Sequence, residues 1–194
     1  MRTFLAINLE GSVKEELIGI QEQLKSKMQG IRWVNIQNLH ITLKFLGEIN
    51  ADTVALMEYP LRELAGQTTS FRVSLTNLGA FPSFKEPRVV WMGIGEGATE
   101  LSNLAQGIET ALKNVPASFH NREIPQKTNE KFLPHLTIGR RSRKEAFKVD
   151  PSIFNKRWEC ENRINVESFY LIESILRPNG PLYIPRQEFL LKKW

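Results

Sequence analysis

The chain has 194 residues, 41% of them hydrophobic and 24% charged, a balance that excludes a low-complexity or disordered polymer and suits one folded domain spanning 1–194. Lys and Arg number 26 against 21 Asp and Glu, a net +5 that favours a polyanionic partner without identifying one. A single cysteine, Cys160, rules out an internal disulfide framework and a multi-cysteine zinc site. The opening "MRTFLAINLEGSVKEEL" meets charge too early for a signal peptide, and no apolar run approaches a membrane span, so a cytoplasmic protein is expected.

In chain order, "RTFLAINL" reads as a strand, and "GSVKEELIGIQEQLKSKM" follows as a helix with Val13, Leu17, Ile20 and Leu24 on one face. Ser12 and Glu15 form a capping-box pattern at its start. "IRWV" and "LHITLKFL" read as strands, then "ADTVALMEYPLRELA" as a helix that Pro60 should kink or end. "SFRVSLTNL" alternates with period two, "GAFPSFKEP" reads as a loop, and "RVVWMGI" as a buried strand. A helix with Leu101, Leu104, Ala105, Ile108 and Leu112 on one face comes next, then the polar segment "HNREIPQKTNEK", expected to be a mobile loop. The last stretch, "INVESFYLIESILRPNGPLYIPRQEFLL", is two strand-like runs around Asn179-Gly180, a strong hairpin signal. Strands mixed with single helices and hairpins predict an α+β fold with largely antiparallel sheets.

Gly93, Gly95 and Ala98 match the G-x-G-x-x-G/A frame of a dinucleotide site. That site needs an acidic residue at the end of a second strand about 20 positions on, and the nearest candidate, Glu109, falls inside the expected helix. A plain strand-to-helix turn is the better reading. No G-x-S-x-G elbow signals a Ser-His-Asp hydrolase.

Two of the three histidines stand in one repeated frame, His40-Ile41-Thr42-Leu43 and His135-Leu136-Thr137-Ile138. One such frame is an ordinary half-exposed strand. Given average residue frequencies, the frame follows a given histidine by chance at an order of 1%, so repetition is the signal. Alternation puts His40, Thr42 and Lys44 on one face and Ile41, Leu43 and Phe45 on the other, with His135 and Thr137 arranged likewise. Two such strands side by side would present two imidazoles and two hydroxyls to one cleft. Imidazoles titrate near neutrality, so one can accept a proton while the other donates one. That suits displacement at phosphorus, with the threonines and Arg140 holding non-bridging oxygens. No metal or cofactor is required. A zinc site would need a third protein ligand, for which His120 is the remaining histidine.

The paired motifs, with "MRTFLAINL", "RWVNIQNLHITLKFLGE", "GAFPSFKEPRVVWMGI" and "PHLTIGR", resemble the RNA 2′,3′-cyclic phosphodiesterases, also called the 2′-5′ RNA ligase family, of the two-histidine phosphoesterase superfamily. The resemblance covers essentially the whole chain. It implies a bilobal fold of two pseudo-symmetric antiparallel sheets with outer helices around a central groove. It also implies metal-independent hydrolysis of 2′,3′-cyclic phosphate ends of RNA to 2′-phosphates, with reversible 2′-5′ ligation of tRNA-derived RNA in some members. By matching position, His40 becomes the proton donor to the departing 3′ oxygen and His135 the base that activates water. Thr42 and Thr137 become phosphate-binding hydroxyls, and Phe45 and Arg140 flank the nucleobase. Plain alternation places those last two on the face away from the histidines, leaving Phe45 open between base stacking and core filling. Lys44 shares the His40 face and is a candidate phosphate contact. Arg140, Arg141, Arg143 and Lys144 form a basic run that would steer RNA, or be solvated surface. Trp33, Trp91 and Phe132 are assigned to the core. The expected partners are RNA with a cyclic phosphate end or tRNA fragments, with no membrane and a monomeric chain. A non-catalytic RNA-binding module on the same scaffold is the alternative.

Overall fold

In the computed structural model, which describes residues 1–113, 115, 132–142, 145–178 and 180–193, strand and helix alternate from the start. β1 (Arg2–Asn8) is buried from Thr3 to Ile7. α1 (Gly11–Lys27) buries Val13, Leu17, Ile20, Gln21 and Leu24, the stripe expected from its spacing. Its N-cap is Glu10, without a side-chain cap, so the Ser12–Glu15 capping box does not form. The Glu10 carboxylate instead accepts from the backbone and side-chain N–H groups of Asn165, both at 3.1 Å.

β2 (Met28–Gln29), β3 (Ile31–Trp33) and a 3₁₀ turn at Ile36–Asn38 lead into β4 (His40–Glu48). α2 (Ala51–Gln67) is capped by Asn50, whose side chain accepts from the Thr53 backbone at 2.8 Å, and it runs through Pro60 rather than ending there. The carbonyl that Pro60 leaves without a helical donor belongs to Leu56, an exposed residue. β5 (Phe71–Val73) and β6 (Leu75–Phe81) divide the alternating run at Ser74, and β6 continues into what reads as loop. β7 (Val89–Ile94) and α3 (Ala98–Leu112) follow, joined by Gly97 at φ +81, where an added Cβ would lie 2.2 Å from the Arg72 carbonyl oxygen. The glycine cluster is therefore a tight strand-to-helix turn. β8 (His135–Arg141), β9 (Lys148–Val149), β10 (Ile164–Val166), β11 (Ser168–Arg177) and β12 (Gly180–Leu190) complete the described elements. β11 and β12 pair down to Arg177 opposite Gly180, giving the expected hairpin, although Asn179 itself lies outside the described residues. So do the segment "HNREIPQKTNEK" and His120 within it.

The fold is α+β and antiparallel. The main sheet runs β12-β11-β1-β4-β8-β7-β6, with β3 also paired to β8, while β5 pairs β10 and β2 pairs β9. At its middle, β4 and β8 share one register pair, Ile41 opposite Leu136. The two expected half-sheets, four strands each, are thus joined along a seam one residue pair wide. Each half repeats one plan, β1–α1–β4 and β7–α3–β8, with Asn8 opposite His40 in the first and Gly93 opposite His135 in the second. The helices cross the seam. Gln21 of α1 reaches the Ile138 carbonyl in β8, and Glu109 of α3 reaches Lys44 in β4.

Ile41, Leu136, Ile138, Val90, Met92, Leu17, Leu24 and Ile108 are fully buried between sheet and helices, each stabilising the fold by roughly 1.5–3 kcal/mol. Trp33 and Phe132 pack against this core. Cys160 is buried there too, and burial pushes its thiol up to about 12, which leaves it unreactive. Among the described residues, no helix is long and apolar enough to cross a membrane. The sheet's other face carries the histidines.

Candidate active site

The strand register settles which side chains share that face. Along β4, Thr42 stands opposite Ala6 while Lys44 stands opposite Leu5, so Leu43 is an extra residue. Along β8, Thr137 stands opposite Trp91 while Gly139 stands opposite Val90, so Ile138 is extra. Each bulge falls three residues after its histidine. A bulge reverses the parity of the residues that follow it, which returns the fifth residue after each histidine to the groove face; along β4 a second irregularity comes only after Phe45, at Leu46. Phe45 is accordingly 60% exposed, with its ring 6.1 Å from Phe4, whose own ring lies 4.7 Å from His40. It is not core filler.

The same reversal corrects the placement of Lys44. Its side chain turns to the helix side, 7% exposed, and pairs with Glu109 at 2.5 Å, so it does not face phosphate. Gln21 occupies the corresponding place beneath β8, donating to the carbonyls of Val34 and Ile138 at 3.0 Å each. Beneath β8, Gln21 thus satisfies the carbonyl of the bulged residue Ile138 itself, while beneath β4 Glu109 meets the ammonium that the bulge turns inward.

Extending the Ile41–Leu136 register one residue each way sets His40 opposite Thr137 and Thr42 opposite His135. Each imidazole is therefore the cross-strand neighbour of the other motif's hydroxyl, with Cβ atoms roughly 4.5–5.5 Å apart in such pairs. The rings are oriented identically. His40 Nδ1 lies 2.8 Å from the Asn38 carbonyl oxygen, and His135 Nδ1 lies 2.7 Å from that of Leu133. A carbonyl only accepts, so Nδ1 carries the proton in both neutral rings and Nε2 is left as the unprotonated nitrogen.

Aromatic walls flank each ring. Tyr183 meets His40 edge-on at 5.2 Å and touches Phe4 at 5.1 Å, so the three rings form one cluster, and Phe81 meets His135 edge-on at 5.2 Å with Trp91 at 5.9 Å. Trp91 is thus a groove residue rather than part of the core. Its indole lies against Gly79, where an added Cβ would come within 2.1 Å, and its buried Nε1 is unpartnered among the described residues. Burial lowers the His40 pKa to about 4, against a smaller upward push from the Asn38 carbonyl and a further lowering by the Arg140 charge. His135 is lowered by the same three influences in the same order, with Leu133 supplying the carbonyl. Arg140 is therefore close enough to act on both imidazoles, and among the described residues no carboxylate pairs with it. Its neighbour Arg141 faces away, over the Phe147 ring at 5.2 Å and donating to the Gly30 carbonyl. Arg143 and Lys144 lie outside the described residues. Among the described residues there is no group of three His, Cys, Asp or Glu placed to hold a metal ion.

The structure brings the two expected histidines, the two threonines, Phe45 and Arg140 to one face of the sheet. It adds Phe4, Phe81, Trp91 and Tyr183 around the rings and Gln21 beneath β8, neighbours set by strand order and helix crossing rather than by proximity in the chain.

Two imidazoles on matched tautomers, two hydroxyls and a guanidinium with no carboxylate partner among the described residues meet about one seam, the arrangement of a two-histidine phosphoesterase. Comparison with known proteins agrees. A family model described as LigT like Phosphoesterase matches residues 7–91, which include the first motif. An RNA 2′,3′-cyclic phosphodiesterase of Archaeoglobus fulgidus is 36% identical over 94% of this chain and 96% of its own. One from Aquifex aeolicus is 32% identical over 98% and 97%. The crystal structure of the Thermus thermophilus protein TT0787 superposes with a TM-score of 0.83 at 28% identity, covering 100% of this chain and 99% of the other. The chain belongs to the LigT-like phosphoesterase family, among relatives named RNA 2′,3′-cyclic phosphodiesterases.

Proposed function

We infer that the protein is an RNA 2′,3′-cyclic phosphodiesterase, a hydrolase that opens the cyclic phosphate at an RNA 3′ end and leaves a 2′-phosphate. The observation that carries this reading is the matched pair of imidazoles, each tautomer fixed by a carbonyl two residues earlier. In the reaction, His135 Nε2 takes a proton from water as its oxygen attacks phosphorus. The bond to the 3′ oxygen breaks, and protonated His40 delivers a proton to that oxygen. Thr42, Thr137 and Arg140 hold the non-bridging oxygens as charge builds. Phe45 offers an exposed ring for the terminal base, while the reach of Arg140's charge to both histidines favours phosphate as its ligand over the base.

A low His40 pKa is consistent with this role once substrate binds. The phosphate's negative charge offsets that of Arg140 and favours the imidazolium. The reverse reaction, 2′-5′ joining, follows the same path backward at the same phosphate. The natural substrates we propose are RNA with cyclic phosphate ends or tRNA fragments, used by a monomeric, cytoplasmic enzyme. A non-catalytic RNA binder would have no use for two Nε2 atoms held outward on matched tautomers.

Incubation of an oligonucleotide bearing a 2′,3′-cyclic phosphate, in buffer containing EDTA, tests the proposal. The expected product carries a 2′-phosphate; a 3′-phosphate product would reverse the assignment of the leaving oxygen, and turnover that needs added zinc would contradict a histidine-only mechanism.

A further inference from the structure

Resting on that reading, we propose that Asn38 is a positioning residue for the proton donor: its side chain ties the turn before β4 to the β11–β12 hairpin and so fixes the carbonyl that orients the His40 ring. Asn38 serves two partners at once. Its backbone carbonyl meets His40 Nδ1 at 2.8 Å, and its side-chain amide donates to the Pro181 carbonyl at 2.9 Å, across 143 positions of chain. The acceptor is one that the sheet can spare. Pro181 has no N–H to give to a ladder, and β12 is the outer strand of the main sheet, so a carbonyl there can take a donor from outside it. Two residues further along β12, Tyr183 meets the edge of the His40 ring. The hairpin therefore holds His40 twice, at its ring and through its carbonyl.

Within the turn, the Asn35 side chain accepts from the Gln37 N–H at 2.9 Å and the Asn35 carbonyl accepts from the Asn38 N–H at 2.8 Å. The turn thus closes without the Asn38 side chain, which adds a fixed point outside it. The other half of the site has no such tie. His135 takes its carbonyl from Leu133, whose apolar side chain is 50% exposed and has no group to donate. The symmetry of the pair is therefore broken on the side of the ring that we assign to proton donation. When an imidazolium gives up its Nε2 proton, the ring left behind is the Nδ1–H tautomer, the form that a carbonyl at Nδ1 favours. Holding that carbonyl in place favours the ring that remains after transfer and keeps Nε2 aimed at the departing oxygen.

Long-range ¹H–¹⁵N correlation spectra of the imidazoles, recorded at pH 7.5 where both rings are neutral, read the tautomers directly. Asn38→Leu gives the first half of the site the side chain that Leu133 supplies in the second, close in shape to asparagine and without a donor. Both rings should show the Nδ1–H pattern in the unmodified protein. In the variant His40 should shift to a mixture of tautomers while His135 stays Nδ1–H, so the second ring reports an intact fold. With a cyclic-phosphate RNA end, kcat should fall about 10- to 100-fold, as for a small misplacement of the acid, with KM changed by less than about twofold. Asn38→Gln, which keeps an amide donor, should recover part of that loss. A His40 ring that stays Nδ1–H in Asn38→Leu would overturn the proposal, and so would an unchanged kcat. Asn38→Ala, which adds no bulk, guards against a packing artefact: if both rings shift in both variants, the tie serves the fold at large and the proposal fails. Because the spectra need no substrate, a His40 pattern that shifts as expected in a protein that opens no cyclic phosphate would refute the reaction and leave the positioning role standing.

Discussion

His40 should make the protein less stable as the solution becomes acidic, by an amount the structure sets. Its ring is enclosed by Phe4 and Tyr183, and burial lowers its pKa from the usual 6.5 to about 4. The unfolded chain therefore binds a proton at this site more readily than the folded one. Stability is complete above pH 6.5 and is lost as pH falls from there toward 4. At pH 4.5 the loss from this residue amounts to about 2.5 kcal/mol, with residual solvent at the ring edge making that an upper figure. Urea unfolding at pH 7.5 and 4.5, on the unmodified protein and on His40→Asn, isolates the effect. Asparagine retains a donor for the Asn38 carbonyl but does not titrate, and the contributions of His135, Glu16 and Asp150 cancel in the difference. The unmodified protein should lose about 2.5 kcal/mol more than the variant; equal losses would refute the account of a desolvated imidazole. The same reasoning predicts that the alkaline limb of kcat/KM, which reports the free enzyme, lies at lower pH than that of kcat.

The Lys44–Glu109 pair should respond asymmetrically. Glu109→Gln strands an ammonium that is 7% exposed, at a cost of about 3 kcal/mol, whereas Lys44→Met leaves a carboxylate that is 34% exposed and hydrated, at a cost under about 1 kcal/mol. Urea midpoints in the opposite order would contradict that burial pattern. Thr42→Val and Thr137→Val, near in shape but lacking the hydroxyl, should each lower kcat about 100-fold with the fold intact by circular dichroism. An unchanged kcat would remove that threonine from the phosphate site. Gly79→Ala places a methyl 2.1 Å from the Trp91 indole and should cost about 1–3 kcal/mol while displacing the ring that walls His135; a variant of unchanged stability and kcat would show that the wall is not close-packed.

The readable parts of this protein were those written in local pattern. Helical spacing gave α1 and α3, the Asn179-Gly180 signal marked the β11–β12 hairpin, and the repeated frame singled out His40 and His135. Pro60 does not end α2, and the carbonyl it leaves without a helical donor belongs to Leu56, whose exposure only the packed helix reveals. Strict alternation misplaced Lys44 and Phe45 because a bulge at Leu43, invisible in residue type, reverses the positions that follow it up to a second irregularity at Leu46. The walls of Phe4, Tyr183, Phe81 and Trp91 and the brace from Gln21 depend on which strands and helices become neighbours, and 117 positions separate Gln21 from Ile138.

The central claim is that the two imidazoles act together on one phosphate. Single-turnover hydrolysis of a cyclic-phosphate RNA end by His40→Ala, His135→Ala and the double variant tests it most directly. Each single variant should lose several orders of magnitude in rate, and the double variant should be little worse than either, as expected of groups that act as a unit. Retention of normal turnover by both single variants would contradict the account.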